Sequence, residues 1–314
     1  MPEGNGSDPR RDTTPARWRV LGHPAGILAY QARCIVEDHG WTEAVVEDRY
    51  KVMLGRSGVF RHRLNGRVGL SDATSVLITR PGDELAVAHP YGCGDSYTCL
   101  EVAPEVLADR PDAARWLARD GWVGSSDTPL DLAHGLLVAE FRRGLDGFEM
   151  SERLHRFLAR LLHYRADGGD GAGQVEVDRA VRRRPATLVA HRRLADRARE
   201  VLAGSDFTLG LDEVARAVGS SPHHLSRVFQ RMTGSSLSAY RNRLRVRAVL
   251  DTLAESDERP LGELATVYGF ADQSHLTRVV RAQVGHPPAR LRRLLTTDPG
   301  RQPEPTEHDG VGAD

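Results

Sequence analysis

The chain has 314 residues, room for two ordinary domains with tails, and its 43 Lys and Arg balance 43 Asp and Glu, so net charge gives no sign of a polyanionic partner. No apolar run approaches the roughly eighteen residues of a membrane span, and Met1 to Val20 is polar rather than signal-like, so a cytoplasmic protein without a membrane partner is expected. Cys34, Cys93 and Cys99 are too few and too irregularly spaced for a disulfide framework.

Residues 1–16 are rich in Gly, Pro and charge and read as a disordered tail. From Trp18 to Val102 the signal is β. Short runs at Ala44–Val46, Tyr50–Leu54, Val59–Leu64, Ser75–Thr79, Leu85–Ala88 and Tyr97–Val102 are punctuated by turn residues, among them Asn65-Gly66 and Pro81-Gly82-Asp83. Many short strands at close spacing predict a small antiparallel barrel or sandwich. Helices follow at Pro111–Arg119, at Thr128–Leu145 with Thr128 or Asp131 as cap, and after Ser151. The last carries Leu154, Phe157, Leu158, Leu161 and Leu162 on one stripe. That stripe either packs on the barrel or pairs with a second subunit.

Asp167 to Gly173 is the best domain break, and residues 167–185 read as a linker. A helix is expected over about Ala186–Ala203, and beyond it a pattern occurs twice, about fifty residues apart. Leu211-Asp-Glu-Val-Ala-Arg-Ala-Val-Gly219 precedes Ser221 to Phe229 and Gly234; Leu261-Gly-Glu-Leu-Ala-Thr-Val-Tyr-Gly269 precedes Asp272 to Val280 and Gly285. In each copy a helix meets a Gly-marked turn, and a second helix opens on Ser or Asp, both good N-caps. This is helix-turn-helix grammar, in which the second helix enters a DNA major groove. Leu237 to Ala254 is a helical connector between the copies. From Ala186 to Leu295 there are 17 Arg against 11 Asp and Glu, so this region is basic and the remainder acidic. Residues past Leu295 read as a disordered tail.

The paired motif, the connector Tyr240-Arg-Asn-Arg-Leu-Arg-Val-Arg-Ala248 and the closing Gly285-His-Pro-Pro-Ala-Arg290 resemble the AraC/XylS family of transcription regulators over about Leu194–Leu295. The resemblance implies an α+β multidomain protein: a cupin-like β-barrel with following helices over 17–166, then an all-α double helix-turn-helix domain over 186–295. It further implies a double-stranded promoter or operator as partner, a homodimer, a small-molecule effector and, for an activator, RNA polymerase. No cofactor is expected. Two recognition helices on one connector can enter successive major-groove segments roughly 34 Å apart.

On the family's pattern the groove-facing residues are His223, Ser226 and Arg227 in the first copy and Gln273, Ser274, Thr277 and Arg278 in the second, with Arg suited to guanine and Gln to adenine. Arg227 and Arg278 could instead bind phosphate alone. Arg241, Arg243, Arg245 and Arg247 are candidates for DNA-backbone contacts, or a solvated helix face. The second copy has Leu276 and Val280 where the family often has aromatic residues, so its core looks trimmed.

In the β region Arg61, Arg63, His89, Tyr91 and Tyr97 are candidate effector-pocket residues. A metal-dependent cupin would need His-x-His with a following Glu, which is missing here. His89, Cys93, Cys99 and Cys34 match no zinc template and read as core or pocket lining, so no metal is expected, although a thiol or metal sensor is the competing reading. Two other functions stay open: an N-terminal barrel with enzymatic or redox chemistry, and one that only dimerises or binds another protein.

Overall fold

The computed structural model describes residues 16–24, 26–34, 40–89, 94–108, 110, 113, 121–163, 185–205, 207–255 and 258–296. The expected tails and the linker over 167–185 lie outside them except for Ala16, Pro185 and Thr296, which belong to regular elements instead, and most of the expected helix at Pro111–Arg119 lies outside them as well. The described strands are β1 (Ala16–Gly22), β2 (Ile27–Cys34), β3 (Val45–Val46), β4 (Tyr50–Leu64), β5 (Arg67–Asp72), β6 (Ser75–Thr79), β7 (Glu84–Ala88), β8 (Asp95–Val102) and β9 (Trp122–Ser125). The helices are α1 (Pro104–Ala108), α2 (Thr128–Arg143), α3 (Gly147–His163), α4 (Pro185–Ala203), α5 (Leu211–Ala217), α6 (Pro222–Thr233), α7 (Leu237–Ala254), α8 (Leu261–Val267), α9 (Gln273–Val284) and α10 (Pro288–Thr296).

All strand pairings are antiparallel, in the order β1-β2-β8-β4-β6-β9, with β7 and β5 flanking the far half of β4. The sequence suggests two strands at Tyr50–Leu54 and Val59–Leu64, but the structure has one, β4, which crosses from the first sheet to the second. It turns the corner at a bulge between Gly55 and Ser57, a device for moving a strand between packed sheets. Gly58 completes the corner with φ +73°; a Cβ there would lie 2.2 Å from the Gly94 carbonyl oxygen. Asn65 (φ 49°) and Gly66 (φ 76°) close the β4–β5 hairpin as expected, both left-handed as a tight primed turn requires.

Alternation along β4 serves two cores. Val52 and Leu54 face helices α2 and α3 through Leu137, Phe141, Leu154, Phe157, Leu158 and Leu161. Met53 and Phe60 face the space between the sheets with Leu28, Tyr30, Tyr97 and Cys99. The apolar stripe of α3 is therefore covered within the chain, which answers the choice left open by its periodicity. The caps differ from expectation: the Asp127 carboxylate accepts the Leu130 N–H to start α2, and Asp146, ahead of Ser151, accepts from Phe148 and Glu149 at the start of α3.

α2 is two-faced. Leu130, Leu137 and Phe141 pack on the sheet, whereas Leu132, Leu136, Val138 and Ala139 pack against Val249, Leu253, Leu276, Val280 and Leu291 of the helical half. Leu276 and Val280 of the second helix-turn-helix are buried in a core that they share with Leu132, Leu136, Val138 and Ala139 of α2 from the N-terminal half. Phe270, 5% exposed, supplies an aromatic from the turn rather than from the recognition helix.

Candidate nucleic-acid interface

Each recognition helix is built by local chemistry. The Ser221 hydroxyl accepts the His224 N–H at 3.3 Å to begin α6, and Asp272 accepts the His275 N–H at 2.6 Å to begin α9. Gly234 and Gly285 end these helices in the left-handed conformation that glycine adopts without strain. Leu225, Val228 and Phe229 of α6, and Leu276, Val280 and Val284 of α9, face their cores.

The opposite faces carry the expected polar residues. His223, Arg227, Gln273, Ser274 and Arg278 are exposed; Ser226 and Thr277 are half-buried, and the Thr277 hydroxyl donates to the Gln273 carbonyl at 2.8 Å. Of the adjacent histidines, His224 packs its ring 5.8 Å from His191 of α4, so His223 is the one left to a groove. Gln230, Arg231 and Arg281 are also exposed and continue the same faces by three- or four-residue steps from Arg227 and Arg278. That spacing was available in the sequence. His275 plays a structural part, since its Nδ1 accepts the Ala271 N–H at 3.2 Å and its ring stands edge-on to Phe270.

The connector arginines do not form the exposed row expected for DNA-backbone contact. Arg241 donates to the Leu209 carbonyl at 2.7 Å. Arg245, buried, donates to the Phe207 carbonyl at 2.6 Å and lies over the Phe270 ring at 5.5 Å, riveting the approach to the first motif onto the turn of the second. Burial and the neighbouring charge of Arg241 lower Arg245 to about 10. Arg243 reaches Ser126 at 3.1 Å. Arg247, also buried, donates to the carbonyls of Gly55 (2.7 Å) and Ala73 (3.1 Å) and pairs with Asp131 at 3.2 Å. Arg241 and Arg245 are engaged by carbonyls of the helical half itself, whereas Arg243 and Arg247 are engaged because the N-terminal half packs on the connector and brings carbonyls and the Asp131 carboxylate to them. Arg247→Ala is accordingly expected to cost about 1–3 kcal/mol of stability, with a salt slope of DNA binding changed by less than about one; denaturant unfolding and salt-titrated binding measure the two.

Further pairs join the halves. Asp72, fully enclosed, accepts from Arg199 Nε at 2.9 Å and Nη2 at 2.6 Å and from the Tyr240 hydroxyl. Burial pushes its carboxyl up, but the Arg199 charge and the Tyr240 and Thr74 hydrogen bonds outweigh that and bring it to about 2. Arg56 meets Asp251 and Glu255, and Arg61 meets Glu200 at 2.7 Å.

The candidate effector residues do not converge. Arg61 and Arg63 leave the outer face of β4, the first toward Glu200 and the second over the Trp41 ring at 5.0 Å. His89 and Tyr97 lie on the inner side around Phe60, at ring distances of 6.3 and 6.5 Å. The period-two alternation of β4 separates the arginines from the other two, and Tyr91 lies outside the described residues. Cys99 is buried, and burial pushes its thiol well up, which leaves it inert as a nucleophile.

Two capped recognition helices with polar outer faces, joined by one helical connector, define a double helix-turn-helix DNA-binding protein. A family model described as a helix-turn-helix domain matches residues 214–294. The multiple antibiotic resistance protein MarA of Escherichia coli is 34% identical over 100 residues, 32% of this chain and 78% of MarA. The right origin-binding protein of Escherichia coli is 38% identical over 90 residues, 28% of this chain and 30% of that protein. Among solved structures, unsaturated fatty acid-bound ToxT from Vibrio cholerae is 13% identical, covering 88% of this chain and 98% of that one at a TM-score of 0.34. The C-terminal domain of AraT, a response regulator from Geobacillus stearothermophilus, is 24% identical, covering 37% and 95% at a TM-score of 0.32. The chain belongs to the AraC/XylS family of transcription regulators. That membership implies a regulatory rather than a catalytic role. Among the described residues, no helix is long and apolar enough to cross a membrane.

Proposed function

We propose that this protein is a sequence-specific transcription regulator that reads double-stranded operator DNA with α6 and α9, acting in the cytoplasm where that DNA lies. The observation that carries the reading is the pair of exposed polar faces, His223 with Arg227 and Gln273 with Ser274 and Arg278, each opposite a buried apolar face. Arg227 and Arg278 take guanine edges, Gln273 an adenine edge, and Ser226 and Thr277 contact bases or phosphates. The N-terminal half modulates the reader through the surface it packs on α7 and α9, and a small molecule that alters the β domain acts through that surface. Homodimerisation, implied by the family resemblance, uses a face other than the apolar stripe of α3, which supports the sheet.

Binding of the full-length protein to duplexes from its own upstream region tests the reading. Arg227→Ala and Arg278→Ala are each expected to weaken specific binding by about 1–3 kcal/mol while the protein stays folded. Unchanged affinity and unchanged discrimination against unrelated DNA in both variants would mean the faces are assigned wrongly.

A further inference from the structure

We propose that Cys34, His89 and Asp95 form a binding site for a divalent cation of the zinc class. Three strand ends place them together: Cys34 closes β2, His89 follows β7 and Asp95 opens β8. The β2–β8 ladder pairs Arg33 with Ser96, so the next step along it brings Cys34 beside Asp95. The ligand atoms, one from each residue, all lie within 4.8 Å of one another, and the His89 Nε2 and Asp95 Oδ1 are already 2.5 Å apart. All three side chains are buried, at 5%, 3% and 5% exposure.

The backbone around them is fixed by close approaches that tolerate little movement. A Cβ on Gly94 would lie 2.6 Å from the Cys34 carbonyl oxygen, and one on Gly58 would lie 2.7 Å from the Asp95 Cα. The Phe60 ring lies 6.3 Å from that of His89 on the interior side.

The donor set defines the ligand. One thiolate, one imidazole nitrogen and one carboxylate oxygen form a borderline-soft set that suits tetrahedral zinc and leaves a fourth position for water. Zinc bond lengths of about 2.0–2.3 Å separate neighbouring ligand atoms by roughly 3.5 Å, within reach of side-chain rotation here. Charge favours the same ion: a thiolate and a carboxylate neutralise a dication, which is what an enclosed site requires. On binding, the cation displaces the thiol proton to solvent, and the proton held between His89 Nε2 and Asp95 Oδ1 passes to Nδ1, which frees the Nε2 lone pair and the carboxylate for the metal. The cation then ties β2, β7 and β8 together. No His-x-His pattern is involved, and the ligands come from separate strands, so spacing along the chain gives no template for the site.

Full-length protein purified without chelators is expected to carry about one zinc per chain by elemental analysis. After removal of zinc, titration with cobalt(II) is expected to give the visible bands of a four-coordinate ion and a thiolate-to-cobalt charge-transfer band. Cys34→Ser should abolish the charge-transfer band. Asp95→Asn keeps the volume and a hydrogen bond to His89, and is expected to weaken zinc at least about tenfold. Folded wild-type protein that takes up neither zinc nor cobalt overturns the proposal, as does a charge-transfer band that survives Cys34→Ser. If Cys34→Ser does not fold, Asp95→Asn decides, and an unchanged zinc affinity there overturns it.

Discussion

Asp72→Ala is expected to destabilise the protein by about 3–5 kcal/mol, because it strips the largely buried Arg199 guanidinium of its nearest counter-charge and leaves it only Asp196, 3.6 Å away. Asp72 sits at the end of β5 and holds α4 and α7 at once through Arg199 and Tyr240. Its other oxygen accepts from the Thr74 N–H and hydroxyl, both at 2.7 Å, so the carboxylate is fixed from the β side as well. Removing it exposes Arg199 and Tyr240 to the same loss and loosens the contact through which the N-terminal half reaches the DNA-binding half. Denaturant unfolding of the variant measures the effect. A loss below about 1 kcal/mol would put the pair in the class of a surface ion pair and remove it from the interface account.

Acidification should weaken the fold between pH 6.5 and about 4. Burial, reinforced by the Arg199 charge, lowers His62 from 6.5 to about 4. Burial, with Arg247 and then Arg56, lowers His134 well below its ordinary value. The unfolded chain binds a proton at each histidine as pH falls through 6.5, whereas the folded chain refuses one at His62 until about pH 4. The unfolded state therefore binds more protons in that window, and stability rises with pH through it and is level above it. His62 alone accounts for roughly 3 kcal/mol between the two ends. His134 bonds the Thr98 hydroxyl at 2.7 Å and accepts from Arg247 at 3.4 Å, so protonating it sets two cations against each other at the domain contact. Thermal unfolding across the window checks this, with His62→Gln expected to flatten the slope; a midpoint independent of pH in the wild type would contradict it.

The helical half was legible because its signals are local. Ser221 and Asp272 cap within one turn, Gly234 and Gly285 mark helix ends, and Leu225 and Leu276 fall on the buried faces by period alone. The β half was less legible. β2 is buried at nearly every position, so Ile27 to Cys34 lacks the alternation that marks a half-exposed strand. Gly55 to Gly58 looked like a break and is a corner. Arg243 and Arg247 looked like a basic helix face because nothing near them in the chain announces Asp131 or the Gly55 carbonyl, more than a hundred residues away. Partners of this kind are set by packing between the halves, and one sequence carries no trace of them. Cys34 and His89 stand together in the competing metal-sensor reading of the sequence, but Asp95 does not, because only the meeting of three strand ends brings it to them.

On the proposed function, α6 and α9 read two separate segments of one operator. Footprinting of the upstream DNA with wild type, Arg227→Ala and Arg278→Ala tests it most directly. The wild type is expected to protect two adjacent major-groove segments about one helical turn apart, and each variant to lose protection at a different one. Variants that lose the same bases, or a wild-type footprint confined to a single segment, would contradict it.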